Sequence, residues 1–461
     1  MTDELDRFAD RYMTMLVTAR SYGARNSALP GSGKLQTREH ERFIKTCHRG
    51  YEKAQRSAIE ELCAVRGQLG HPHGLYFESL LRKLMDYVAY VIVQTKDHVF
   101  RRLWYLLGPP NVDRATLMNA LAAAEKLNQE DRLTFALVAD ATMSVHIADV
   151  LRVDRRGGQF QFELIELKTG RINTMLLETL QEYMPTPEDL LRMQADRSVD
   201  QRYQKQAERI MRQKIRLAQV KEVIESDHGT DIRTGEEIEL EGKVHALGNY
   251  DLVVERLCGE SIAGGACAVT VDGCMHLGCA YSENPEKAQT AALDAAIDGL
   301  AMSRVRASPD QLKTAAMIDD LIGGENAFRS HEVFLAAVYS IGARPFPMWD
   351  ISREHLSLIL ARKLSLYVIF DLAMFIDLGH QIGIEMSLSS KRATGQAASR
   401  MGRDYIVEWG GRMLEFRTAR GRSGMLSGML QRFVVNLTRP SHYLMMLAEE
   451  DSSRPMGLEG I

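Results

Sequence analysis

The stretch His146 to Gly170, HIADVLRVDRRGGQFQFELIELKTG, gathers the residues best suited to chemistry: Asp149, Glu166 and Lys168. Two carboxylates and a nearby backbone carbonyl can hold Mg²⁺, a hard ion that takes oxygen ligands and keeps several waters. Here those ligands are Asp149, Glu166 and the carbonyl of Leu167, with Mn²⁺ as the alternative ion. Such a metal acidifies a bound water and offsets charge on phosphate oxygens. The chemistry is that of phosphodiester hydrolysis. Lys168 is placed to orient the attacking water or to balance transition-state charge.

The elements that must position these groups are two strands and a turn. Val150, Leu151 and Val153, then Phe160, Phe162, Leu164 and Ile165, favour strands. Gly157-Gly158 suits a two-residue turn that needs positive φ at both positions. Arg156 then pairs with Gln159, and counting outward sets Asp149 opposite Glu166. Alternation gathers Ile147, Asp149, Leu151, Val153, Phe160, Phe162, Leu164, Glu166 and Lys168 on one face. Asp140 is outside this register, and Asp154 falls on the other face. The plain alternative is a hairpin whose Asp149 and Lys168 form a surface ion pair.

Asp149 followed by Glu166-Leu167-Lys168 on a hydrophobic strand resembles the PD-(D/E)xK nuclease superfamily over roughly residues 70 to 225. Ala148 stands where the family name has Pro. The resemblance implies a restriction-endonuclease-like fold and a metal-dependent nuclease, acting on DNA more than RNA, with bacterial defence as a setting by analogy. It also implies an acidic residue on a helix before the sheet, for which Glu78 is the match. A basic helix after the Glu-x-Lys strand would contact phosphates, here through Arg202, Lys205, Arg209, Arg212, Gln213 and Arg216. The alternative is a nuclease-like domain without catalysis, used for nucleic-acid binding or assembly.

The chain of 461 residues is long enough for two or three domains, and 45% hydrophobic with 26% charged residues is a globular composition. The net charge of −4 requires any polyanion to meet a local basic face. Six cysteines without framework spacing, and an acidic start without a signal pattern, suit a reducing cytoplasm and no membrane. Gly31-Ser32-Gly33-Lys34 lacks the full phosphate-loop pattern. Cys267, Cys274, His276 and Cys279 lack a paired knuckle and are expected as buried sheet residues.

The expected fold class is α/β (α+β). Residues 1–70 form a helical region, with helices over 1–24 and 35–70. Residues 71–225 form the restriction-endonuclease-like mixed sheet flanked by helices. Residues 226–240 are a polar linker, 241–450 a second α/β domain and 451–461 a disordered tail. Within the second domain, 243–281 reads as strands and turns, 284–306 as a helix, and 330–339 as a helix. The segment 364–375 reads as a buried strand or helix, and 404–418 as strands turning at Gly410-Gly411. Homo-oligomerisation, or a partner protein, is expected to use this C-terminal domain.

Overall fold

Glycine-bearing turns and proline-bearing helix starts account for much of the chain's layout in the computed structural model. It describes residues 2–21, 37–67, 71–93, 97–103, 111–154, 161–167, 201–226, 228–230, 237–239, 248–322, 328–418 and 421–452. The chain is a mixed α/β protein with several small antiparallel sheets. It divides into two compact units, Met1–Met13 with His245–Ile461, and Thr14–Val244. No helix among the described residues is long and apolar enough to cross a membrane. The Gly157-Gly158 turn, Lys168 and all but the start of the expected tail lie outside the described residues.

In the Thr14–Val244 unit, helices α2 (Thr37–Arg66), α3 (Gly74–Ile92), α4 (Asp97–Arg102) and α5 (Arg114–Glu130) follow α1 (Thr2–Ser21), which begins in the other unit. Asp113 caps α5 by accepting from Thr116 N. Strands β1 (Thr134–Val138), β2 (Val150–Asp154) and β3 (Gln161–Ile165) form one antiparallel sheet in that order. Val150 pairs with Ile165 and Asp154 with Gln161, the register expected from the turn. Leu151, Val153 and Phe162 are buried, while Gln161 and Glu163 are exposed, so this pair of strands keeps one apolar face. Helix α6 (Gln201–Ser226) and a short hairpin, β4 (His228–Thr230) with β5 (Glu237–Glu239), follow. That hairpin occupies part of the expected linker.

The other unit is built on a four-stranded antiparallel sheet, β6 (Ala266–Val271), β7 (Met275–Tyr281), β9 (Leu364–Asp371) and β8 (Phe328–Glu332), in that order. Asp272 and Gly273 both take positive φ, as the β6–β7 turn requires. Asn284 caps helix α8 (Pro285–Arg306) through Glu286 N and Lys287 N. The helix lies on the sheet through a stripe of small residues. A Cβ on Gly278 would come within 2.1 Å of Ala292 O and 2.3 Å of Ala296 N, so glycine is required for that approach.

Two expectations are corrected here. Asp251–Gly264, read among the strands, is a helix, α7, with Val254, Leu257, Cys258 and Ser261 on its buried side. Their spacing of three, one and three is helical. Residues 330–339 begin as β8 and turn helical at Val333 (α10, Val333–Tyr339), because β9 offers the chain a strand partner. Between 364 and 382 both readings hold in succession. β9 ends at Asp371, whose carboxylate caps α12 (Leu372–Ile382) at Ala373 N and Met374 N and takes two bonds of 2.9 Å from Arg304. Helices α9 (Pro309–Ile322) and α11 (Arg353–Leu360) both precede β9 in sequence.

Beyond α12, β10 (Glu385–Leu388), α13 (Lys391–Met401), β11 (Glu408–Trp409), β12 (Arg412–Thr418) and β13 (Gly421–Gly424) form a second small sheet with its helix. Gly410 and Gly411 make the expected turn with positive φ at both. Helix α14 (Ser427–Val434) is followed by α15 (Pro440–Ser452), which begins at Pro440.

Candidate functional site

The regular ladder of β2 and β3 stops at Val150 and Ile165. Beyond it, Asp149 N donates to Ile165 O at 3.1 Å, and Asp149 O accepts from Ala139 N at 2.9 Å. Two successive residues thus oppose Ile165, the pattern of a bulge, a feature that re-aims a side chain at the end of a strand. The Asp149 carboxylate accepts from Leu167 N, 2.5 Å from Oδ2. Its Oδ1 has no hydrogen-bond partner among the described residues. Asp149, Glu166 and Leu167 are all half-buried. The strand end therefore brings Asp149 to the Glu166-Leu167 backbone. Lys168 lies outside the described residues.

Glu78 sits on α3 with both carboxylate oxygens engaged. Oε1 accepts from Arg82 Nε at 3.0 Å, and Oε2 lies 3.3 Å from Arg66 Nε. On α6, Lys205, Arg209 and Arg212 are exposed and Arg216 is half-buried. Their spacing of four, three and four sets them along one helix face. Arg212 pairs with Glu208 at 3.4 Å. The side chains of Arg202 and Gln213 are outside what the structure describes.

Beneath the Asp149 turn lies a polar network that the sequence reading passed over. Residues 139–148, which link β1 to β2, are nearly all buried, so their backbone groups need internal partners. Arg82 Nη1 donates to Asp140 O at 2.7 Å and to Thr142 O at 3.0 Å. Asp86 accepts from Met143 N and Ser144 N, both at 2.9 Å, and from Ser144 Oγ at 2.7 Å. Lys83 Nζ lies 3.1 Å from Asp86 Oδ2, with both side chains fully buried. Burial pushes the Lys83 ammonium down, and the Asp86 carboxylate opposes it. The signal was present in LLRKLMDYVAYVI: three charged residues stand inside an otherwise apolar helix, where a solvated face cannot account for them.

His146 completes this region. Its ring is buried, and neither nitrogen has a hydrogen-bond partner among the described residues. Burial holds its pKa down at about 4, with Asp86 opposing. In the other unit His276 is also held at about 4, by burial and by Arg304. Its Nδ1 lies 3.0 Å from Thr270 Oγ1 and its Nε2 lies 4.0 Å from Asp371. The expected burial of thiols holds for Cys274 and Cys279, while Cys267 is partly exposed. Among the described residues, no three His, Cys, Asp or Glu side chains gather as a metal-holding group.

In comparisons with known proteins, no family model, no curated protein and no solved structure matches the chain.

Proposed function

We propose that the chain is a metal-dependent nuclease of restriction-endonuclease-like type, hydrolysing phosphodiester bonds of nucleic acid, DNA in preference to RNA. The observation that carries the reading is the meeting of Asp149 with the Glu166-Leu167 strand end, through the 2.5 Å bond from Leu167 N. Two half-buried carboxylates, one with an oxygen that has no partner among the described residues, are hard donors. Mg²⁺ is commonly held by one or two carboxylates with its remaining positions filled by water. The donor set therefore suits Mg²⁺ or Mn²⁺, held by Asp149, Glu166 and the Leu167 carbonyl. The bound ion would supply an acidified water and offset phosphate charge.

The chain's own groups do the rest. Lys168 orients the attacking water. Glu78, saturated by Arg66 and Arg82, acts through Arg82, which holds the buried turn that leads to Asp149. The cations of α6, from Arg202 to Arg216, take the phosphates.

The test is purified chain with Mg²⁺ or Mn²⁺ on single- and double-stranded DNA and RNA. Cleavage is expected, with Asp149→Asn and Lys168→Ala each losing about 100-fold or more in rate while keeping the wild-type melting temperature. Intact polymers throughout would overturn the reading. The engagement of both Glu78 oxygens and the net charge of −4 favour a second one, a non-catalytic binding or assembly module. A calorimetric Mg²⁺ titration separates them, since the second reading predicts no binding that depends on Asp149.

A further inference from the structure

The four-stranded sheet ends on β6, and the ladder's phase fixes which of its groups face outward. Tyr281 N donates to Gly265 O at 3.0 Å, and the register is constant along β6 and β7. Hydrogen-bonded pairs alternate in an antiparallel ladder, so Cys267, Val269 and Val271 bond to β7. The N–H and C=O groups of Ala266, Ala268 and Thr270 point away from the sheet. They have no hydrogen-bond partner among the described residues. Proteins blunt such edges with lysine, proline, a bulge or a covering element. The sequence ACAVTV has no charge and no proline, and its pairing is regular.

We propose that β6 joins two copies of this chain, edge to edge and antiparallel, about a two-fold axis at Ala268. In that register Ala268 meets the partner's Ala268 and Ala266 meets the partner's Thr270. Every outward N–H and C=O on both copies is then satisfied. Shifting the axis by one residue leaves an outward pair unmatched, because Gly264 belongs to α7 and Asp272 to the turn. Ala266 and Ala268 are small and exposed, so two edges can close without a clash, and no charges oppose one another.

The strand is self-complementary, which a symmetric interface requires. An uncharged strand offers a foreign acidic or basic peptide nothing to select. The strand alone, about 20 Å long, is narrow beside the ~800 Å² per copy of a stable interface. Helix α8 supplies the width. A Cβ on Gly299 would lie 3.4 Å from Ala268 Cβ, which places this turn of the helix over the edge strand. Nearby on the same helix Met302 and Val305 are 51% and 80% exposed.

Sedimentation of the full chain tests this. The expected mass at micromolar concentration is twice 51.9 kDa. Ala268→Lys sets two ammonium groups face to face on the axis and should raise the dimer Kd by at least about tenfold, with unchanged melting of the monomer. Met302→Glu should weaken the dimer less. Mixing Ala268→Lys with Ala268→Asp should restore a dimer of one copy of each, which damage to the fold would not do. A wild-type mass of 51.9 kDa at every concentration would overturn the proposal. So would a dimer indifferent to Ala268→Lys, or folded Lys and Asp variants that fail to pair.

Discussion

β1 and β6 are both uncharged edge strands, and they are finished in opposite ways. On β1, Ala136 N donates to Asn128 Oδ1 at 2.7 Å, and Val138 N donates to Gln55 Oε1 at 2.8 Å. Both amides return a bond of 3.3 Å to Ala136 O. A carboxamide carries a donor and an acceptor side by side, as a backbone residue does, so Asn128 on α5 and Gln55 on α2 stand in for a neighbouring strand. β6 has no such cover among the described residues. The difference teaches that a helix can end a sheet when it supplies amides at the right height, and that an edge without them invites another chain.

The same contrast runs through the interiors and can be broken residue by residue. The largest expected effect is Asp86→Ala, which leaves the Lys83 ammonium buried without its partner and strips three donors of their acceptor. Breaking a buried pair in this way costs about 3–5 kcal/mol, read as a lower denaturant midpoint of the Thr14–Val244 unit.

Next is pH. His146 and His276 are neutral in the fold with pKa about 4, against an ordinary value of 6.5. Between these values the unfolded chain binds the proton and the folded chain does not. Stability therefore falls as pH drops from about 6.5 towards 4, by roughly 3 kcal/mol for each histidine. Thermal melts across that range, with His146→Phe and His276→Phe each removing its own share of the slope, check the assignment.

Gly278→Ala should cost about 1–3 kcal/mol or more, because the added methyl meets helix backbone that must retreat. The smallest effect is Asn128→Ala, about 1–3 kcal/mol for the buried Ala136 N–H left unpaired. It should also make β1 resemble β6, giving new self-association visible by light scattering. Stable, monodisperse Asn128→Ala would end the comparison between the two edges.

Much of the layout was legible because local chemistry decides it. Gly410-Gly411, Asp272-Gly273, Asn284-Pro285 and Pro440 each force a turn, a start or a break whatever surrounds them. The register of β2 on β3 followed from two glycines and the parity of a strand. What misled was ambiguity of period. In Asp251–Gly264 a Val-Val pair and flanking glycines suggested strands, while the buried stripe followed helical spacing. In 330–339 a segment with helical character spends its first residues as β8, since β9 lies ready to pair with it. At the candidate site the register was foreseeable as far as Val150 opposite Ile165, but the expected pairing of Asp149 with Glu166 gives way to a bulge that sets Asp149 against Ile165. The engagement of both Glu78 oxygens was not foreseeable, because it depends on how α2, which ends at Arg66, packs beside α3.

By itself, the sequence determined the turns at Asp272-Gly273 and Gly410-Gly411, the limits of helices such as Pro285–Arg306, and the register of β2 on β3 up to Val150 and Ile165, since all of these rest on backbone sterics within a few residues. Only the tertiary structure decided that Arg82, Lys83 and Asp86 face inward to hold the 139–148 turn. It alone decided that amides close β1 and leave β6 open. Those outcomes depend on which distant groups share a buried volume, where an unpaired charge or N–H is too costly to keep.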